Sequence, residues 1–399
     1  MTNAPQNSPM LASERRSVGL IAAVGSLRMF GLFALLPVLS IFAAGLEGAT
    51  PLLVGISVGA YGLTQAALQI PLGSLSDRLG RVPVIVAGLT VFAIGSLIAA
   101  LSDGIYGVIL GRFLQGAGAI SSTLTALVAD VTRPEARTRS MGIYGAGVGS
   151  SILLALVFGP VIAGKGGVAA LFFVTAALAA AAALLVLLPG ALSGAASGGR
   201  AAGSTRWRNA LTAPLLQLDA YIFLLHAMLT ALFVSLPFAL RDELGLPLAE
   251  HWQLYVAALL LSLIGTVPLI MADDRRGKRW TIQVALLLML AGMAIPGMVE
   301  LSFWLLVGAM ALFFAGMNFL EAALPARLSL LASVEQRGAS LGVFASAQFT
   351  GAFFGGVLGG WRLSDAPPAG VFLTLALLIG GWLVAHQLWP SEAKPSDSA

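Results

Sequence analysis

Twelve apolar stretches occupy most of this chain, each long enough to cross a bilayer and each bounded by charge, glycine or proline. They fall at 18–44, 51–72, 83–101, 105–129, 141–164 and 168–189, then at 214–240, 253–272, 280–299, 302–326, 339–360 and 369–388. In hydrocarbon, every backbone N–H and C=O must find its partner inside the protein, and a helix satisfies them within one segment. The pattern therefore predicts an all-α membrane protein of twelve transmembrane helices. Composition agrees with it. Of 399 residues, 58% are hydrophobic and only 10% charged, far too little charge for a soluble surface of that size.

The chain is also duplicated. The charged hairpin GSLSDRLGRVP runs from Gly73 to Pro83 between two apolar stretches. Pro71-Leu72, Asp77-Arg78 and Gly80-Arg81 are echoed by Pro268-Leu269, Asp274-Arg275 and Gly277-Lys278. Phe33, Leu36 and Pro37 recur as Phe233, Leu236 and Pro237, and Glu135, Arg137, Ser140 and Gly142 as Glu335, Arg337, Ser340 and Gly342. Matches in one order at nearly one offset predict two pseudo-symmetric six-helix bundles, related by an axis along the membrane normal. The domains are then a tail at 1–17, a bundle at 18–189, a Gly/Ala/Ser-rich linker at 190–213, a bundle at 214–389 and a tail at 390–399.

Charge sets the orientation. Of the 22 Lys and Arg, seventeen fall on the side of both termini and the linker, three (Lys165, Arg241 and Arg362) on the other, and Arg28 and Arg112 within spans. The positive-inside rule places both termini and the linker in the cytoplasm, in a bacterial-type inner membrane. A chain without cysteine has no thiolate chemistry, and three scattered histidines do not suggest a metal site. No cofactor is expected. The pI near 9.8 does not imply nucleic acid, because the basic residues lie in short loops instead of covering one face. Without a Walker-type phosphate loop, ATP-driven pumping has no support either.

Three motifs resemble the major facilitator superfamily, and the resemblance covers nearly the whole chain. GSLSDRLGRVP matches the loop 2–3 signature at Gly73, Asp77, Arg78, Gly80 and Arg81, departing from it at Val82. GRFLQGAGA in the fourth span matches at Arg112, Gln115 and Gly116. The fifth span, from Gly149 through Gly159-Pro160 to Gly164, is similar to the Gly-Pro signature of twelve-span drug:proton antiporters. SLRMFGLFALLPVLS and the Glu321 region look most like the YajR-like branch, some members of which add a soluble C-terminal domain that is not expected here.

The resemblance implies that Asp77, Arg81 and Asp130 form a charge cluster that latches the two halves. Asp77 and Arg81, four apart, share a helix face, and the carboxylate is expected beside the N-terminus of span 11 near Ser340, where the helix dipole is positive. The degraded second copy of the hairpin reads as a topology anchor. Ionisable groups inside the membrane are expensive and mark function, which singles out Arg28, Arg112, His226 and Glu321, the last one turn beyond Asn318. A carboxyl among apolar side chains exchanges protons readily in principle, so these residues are candidates for proton coupling or for lining a central cavity. The resemblance gives Arg112 a role in proton transfer, and Arg28 is expected to face Glu321 across the cavity or to attract an anionic substrate group. Gly145, Gly149, Gly159, Pro160, Gly355 and Gly359 are expected at close helix contacts.

The chain thus reads as a non-enzymatic secondary transporter. Proton-coupled efflux of small amphipathic compounds by alternating access is the favoured activity, with the protein working as a monomer in the lipid bilayer. Proton-coupled uptake of a sugar or organic acid is an alternative, though the spans are poor in Asn, Gln and aromatic hydrogen-bonding groups. A non-transporting receptor or assembly partner is the competitor from another class.

Overall fold

The computed structural model describes residues 10–188, 212–273, 279–333 and 336–388. The first half comprises α1 (Ala12–Leu35), α2 (Leu39–Ala44), α3 (Pro51–Leu79), α4 (Arg81–Ala100), α5 (Ile105–Ala117), α6 (Ser121–Asp130) and α7 (Arg137–Leu187). The second comprises α8 (Ala213–Phe238), α9 (Trp252–Ala272), α10 (Arg279–Met298), α11 (Phe303–Leu331), α12 (Arg337–Leu363) and α13 (Pro368–Leu388). Residues 1–9, the C-terminal tail and nearly all of the linker lie outside the described residues, as do Asp274 and Gly277 of the second hairpin, whereas the later part of the expected N-terminal tail is helical, since α1 begins at Ala12.

Ten helical stretches among the described residues are long and apolar enough to cross a membrane, and they account for twelve crossings in two ways. Spans 5 and 6 form one continuous helical stretch that turns at Gly167, whose φ of 75° suits glycine. Span 4 is split by Gly118–Ile120 into α5 and α6. The duplicated prolines keep equivalent positions. Pro37 sits in the turn between α1 and α2, and Pro237 lies just before a π-helical turn at Ala239–Glu243.

Beside cores of buried aliphatic and aromatic side chains, the helices press backbone to backbone at glycines. Within the second half, methyl groups on Gly351, Gly355 and Gly359 would strike Phe223, Ala227 and Ala231 of α8. Between the halves, Gly55 and Gly59 of α3 meet Gly356, Gly360 and the 352–353 carbonyls of α12. In a bilayer, where lipid tails are as apolar as side chains, such close approach is what holds helices together. This seam lies at the end of α3 that follows Thr50, on the weakly charged periplasmic side. Gly164 against Ala249 closes the same end. Towards the cytoplasm the joint loosens: Ser346 Oγ donates to the Ala66 carbonyl at 3.2 Å, and Ile70 lies in ordinary contact range of Gly342.

Candidate functional site

The loop 2–3 hairpin is a glycine turn between two helices. Gly80 has φ of 94° and serves as both the end of α3 and the start of α4, a conformation that L side chains rarely adopt. The turn brings Arg81 back beside α3. Its guanidinium pairs with Asp77 at 2.5 Å and Asp130 at 3.0 Å, and bonds the Ser76 hydroxyl at 2.6 Å. The three predicted cluster members are therefore together, whereas Arg78 is exposed. Three residues past Asp130, Arg133 holds Glu14 of α1: its backbone N–H and Nε donate to one carboxylate oxygen at 3.0 and 2.9 Å. Two ion pairs thus fasten span 1, the hairpin and the loop after span 4 into one cytoplasmic plate. No hydrogen bond or ion pair among the described residues carries Asp77, Arg78 or Arg81 across to α12. The latch partner near Ser340 is not engaged, because the halves meet at the opposite end.

Deep in the first half, two arginines are sealed in. Arg112 (1% exposed) donates to the carbonyls of Ser57 and Val58 at 3.3 and 3.2 Å and to Gln115 Oε1 at 2.6 Å, and its guanidinium stacks on Tyr61. Gln115 passes the network on to Ser96. Arg28 donates to Ser121 and Gln65, each at 3.1 Å, and lies over the Phe92 ring. Neither has an acidic partner among the described residues. The expected approach of Arg28 to Glu321 does not occur, since Gln65 and Ser121 hold the guanidinium inside its own bundle.

The second half carries a polar site inside the membrane. His226 of α8, Glu321 of α11 and Gln348 of α12 converge near the middle of their helices. The Gln348 amide donates to His226 Nε2 at 2.8 Å and to Glu321 Oε1 at 3.2 Å. His226 Nε2 lies 3.7 Å from Glu321 Oε2. The Ile222 carbonyl, 3.3 Å from Nδ1, can only accept, so Nδ1 carries the hydrogen and Nε2 is the basic nitrogen. A proton taken there would turn the 3.7 Å approach into an ion pair. The Glu321 side chain is 43% exposed, unlike the sealed arginines, so it can meet a solute. One turn back, Asn318 Nδ2 donates to Ser262 Oγ on α9 at 3.2 Å, which extends the polar surface onto a fourth helix.

The Major Facilitator Superfamily pattern matches residues 21–272 and again 218–399, so that the two matches together span nearly the whole chain. The chain belongs to this superfamily. It is 41% identical to the inner membrane transport protein YajR of Escherichia coli K12 over 94% of this chain and 83% of that protein. Identity to the multidrug resistance protein MdtH of Cronobacter sakazakii is 29%, over 89% of this chain and 88% of that one. In fold it is similar to a bacterial homologue of the human lysosomal transporter Spinster, solved inward-facing and unoccupied, with a TM-score of 0.72, 15% identity, and 94% and 95% of the two chains covered. As a superfamily member it is a transmembrane transporter of the inner membrane and not an enzyme.

Within this superfamily frame, several sequence expectations change. Gly159 (whose methyl would strike the Ala34 carbonyl), Pro160, Gly355 and Gly359 are buried at close contacts as expected. Gly145 and Gly149 are not: both are exposed, and a methyl on either would meet nothing within 4 Å. Their helix packs on α1 through other positions, with Tyr144 against Gly25 and Gly147 against Ala22 and Ser26. Gly73 has only ordinary contact with Ser122. The residues on which the second hairpin reads as a topology anchor lie outside the described residues, and beside them Arg327 of α11 donates to Asp273 and Thr281 at 2.9 and 3.2 Å. His386 is buried, with Nδ1 2.7 Å from the Tyr221 hydroxyl. Gln348 and Ser262 escaped the sequence reading because neutral polar residues carry no alarm. Asp219 escaped despite a signal, an acid seven residues before His226 in LDAYIFLLH.

Proposed function

We propose that this transporter exports small, amphipathic compounds in exchange for protons, with Glu321 as the proton-binding group and His226 and Gln348 as its partners. The observation that supports this most is the asymmetry of the buried charges. Glu321 is the intramembrane acid that combines solvent exposure with a basic nitrogen 3.7 Å away. A proton on Glu321 leaves Gln348 bridging two neutral groups, whereas a bare carboxylate favours a protonated His226 and competes for a cationic or polar solute. Proton and solute then exclude one another at one site, which is the requirement for exchange. The seam at the periplasmic end and the looser cytoplasmic end describe a state that loads from the cytoplasm. In the opposite state the Asp77, Arg81 and Asp130 cluster would dock on the start of α12. The drug-resistance name of the MdtH relative favours export over uptake.

The test is reconstitution into proteoliposomes with an imposed pH gradient and a panel of cationic, neutral and anionic solutes. Wild type is expected to move amphipathic solutes against their gradient only while the pH gradient stands. Glu321→Gln is expected to keep exchange of labelled for unlabelled solute and lose the response to the gradient. Transport by wild type that ignores the gradient, or full coupling in Glu321→Gln, would overturn the proposal.

A further inference from the structure

Among the described residues, just two carboxylate oxygens are buried without a hydrogen-bond partner in the protein: Glu321 Oε2 and Asp219 Oδ1. Asp219 is 7% exposed and forms no ion pair among the described residues. It lies seven residues before His226 on α8, two turns closer to the cytoplasm on the same helix face, or about 10 Å along the axis. The packing register of α8 on α12 places it further. Phe223 meets Gly351, Ala227 meets Gly355 and Ala231 meets Gly359, so one turn earlier Asp219 falls beside Ala347, next to Gln348. The two orphaned oxygens thus flank one seam, joined by His226. The imidazole is oriented for passage along that seam: Nε2 faces Glu321 and Gln348, while Nδ1 points at Ile222, towards Asp219.

We infer that Asp219 is a second proton-carrying group, which receives the proton from Glu321 through His226 and releases it to the cytoplasm. This rests on the reading of Glu321 as the proton site. In the transfer, the O–H bond of Glu321 breaks and an N–H bond forms at His226 Nε2. The Nδ1–H bond then breaks and an O–H bond forms at Asp219, with water spanning the last turn. Loss of that proton to cytoplasmic water restores the carboxylate, and exchange with water, which takes the proton from Nε2 and returns one to Nδ1, restores the starting tautomer. Few other titratable groups compete. From helices packed on α8 these are Glu321 and Arg327 of α11, His386 of α13, and Tyr61, Asp77 and Arg78 of α3; α12 has none between Arg337 and Arg362. On α8 itself only Tyr221 stands near, and its hydroxyl is held by Gln217 and His386.

Infrared difference spectroscopy after a pH jump, on protein reconstituted without substrate, tests the inference. Wild type is expected to show two bands from protonated carboxyl groups, one removed by Glu321→Gln and the other by Asp219→Asn. In Asp219→Asn the Glu321 band should decay about tenfold or more slowly, and Asp219→Glu, which retains the acid, should restore the rate. An unchanged decay rate in Asp219→Asn, or a missing Asp219 band, overturns the relay while leaving Glu321 as the proton site. Absence of the Glu321 band from wild type instead overturns the reading on which the relay stands.

Discussion

The two halves descend from one plan, yet they hold charge inside the membrane in opposite ways. In the first, Arg28 and Arg112 are each 1% exposed and are bonded to carbonyls, amides and hydroxyls of their own bundle. In the second, an acid and an imidazole share one amide, and the acid is open to its surroundings. A guanidinium keeps its proton under any physiological condition. A carboxyl and an imidazole can exchange theirs. The difference teaches that two copies of one scaffold can hold charge differently: guanidinium groups are sealed among polar partners in one half, and an acid beside an imidazole lies open in the other.

The contrast breaks most visibly at Arg112. Arg112→Leu removes the donor for Gln115 and two carbonyls and should cost about 2–4 kcal/mol of stability, read as a lower thermal midpoint in detergent. Glu321→Gln should change that midpoint by less than about 0.5 kcal/mol while uncoupling transport. The reverse pattern, a robust Arg112→Leu and an unfolded Glu321→Gln, would undo the division between brace and exchanger. Next comes the helix seam, where Gly355→Ala drives a methyl into the Ala227 carbonyl and should cost about 1–3 kcal/mol.

Asp77→Asn removes a partner from a cluster whose Asp77 and Arg81 side chains are 31% and 14% exposed. Partial exposure limits the stability loss to about 1 kcal/mol. Its effect should instead appear as slower transport at normal membrane insertion, and an unchanged rate would remove the cluster from the cycle. The smallest loss belongs to Gly145→Ala, on an open helix face, where the change should be neutral or stabilising by up to about 1 kcal/mol, the helix preference of alanine over glycine. A large loss there, matched with a silent Gly355→Ala, would reverse the assignment of packing faces.

Much of this architecture is legible in the residues alone. Charge-bounded apolar stretches mark the helices, and a degraded hairpin reveals the second half. The four-residue spacing of Asp77 and Arg81 places them in contact. What escapes does so for physical reasons. Glycine spacing in span 5 looks like that in span 11, but packing depends on which face a neighbour occupies, and spacing along one helix does not encode that. Arg28 could not be placed because its partners, Gln65 and Ser121, are neutral and lie on other helices. The turn at Gly167 falls in the break that the apolar stretches already leave between 164 and 168.

The glycine seam between α3 and α12 has a consequence for how this protein opens. Its closure is made by main chain against main chain, at Gly55 and Gly59 on one side and Gly356 and Gly360 on the other. Contacts of that kind cannot be released one rotamer at a time, because at these glycines it is backbone that touches backbone. Any opening along this seam would therefore part it as a single unit, like a zip whose teeth share one tape. Intermediate widths should be short-lived, and the protein should spend its time either sealed or fully parted on the periplasmic face.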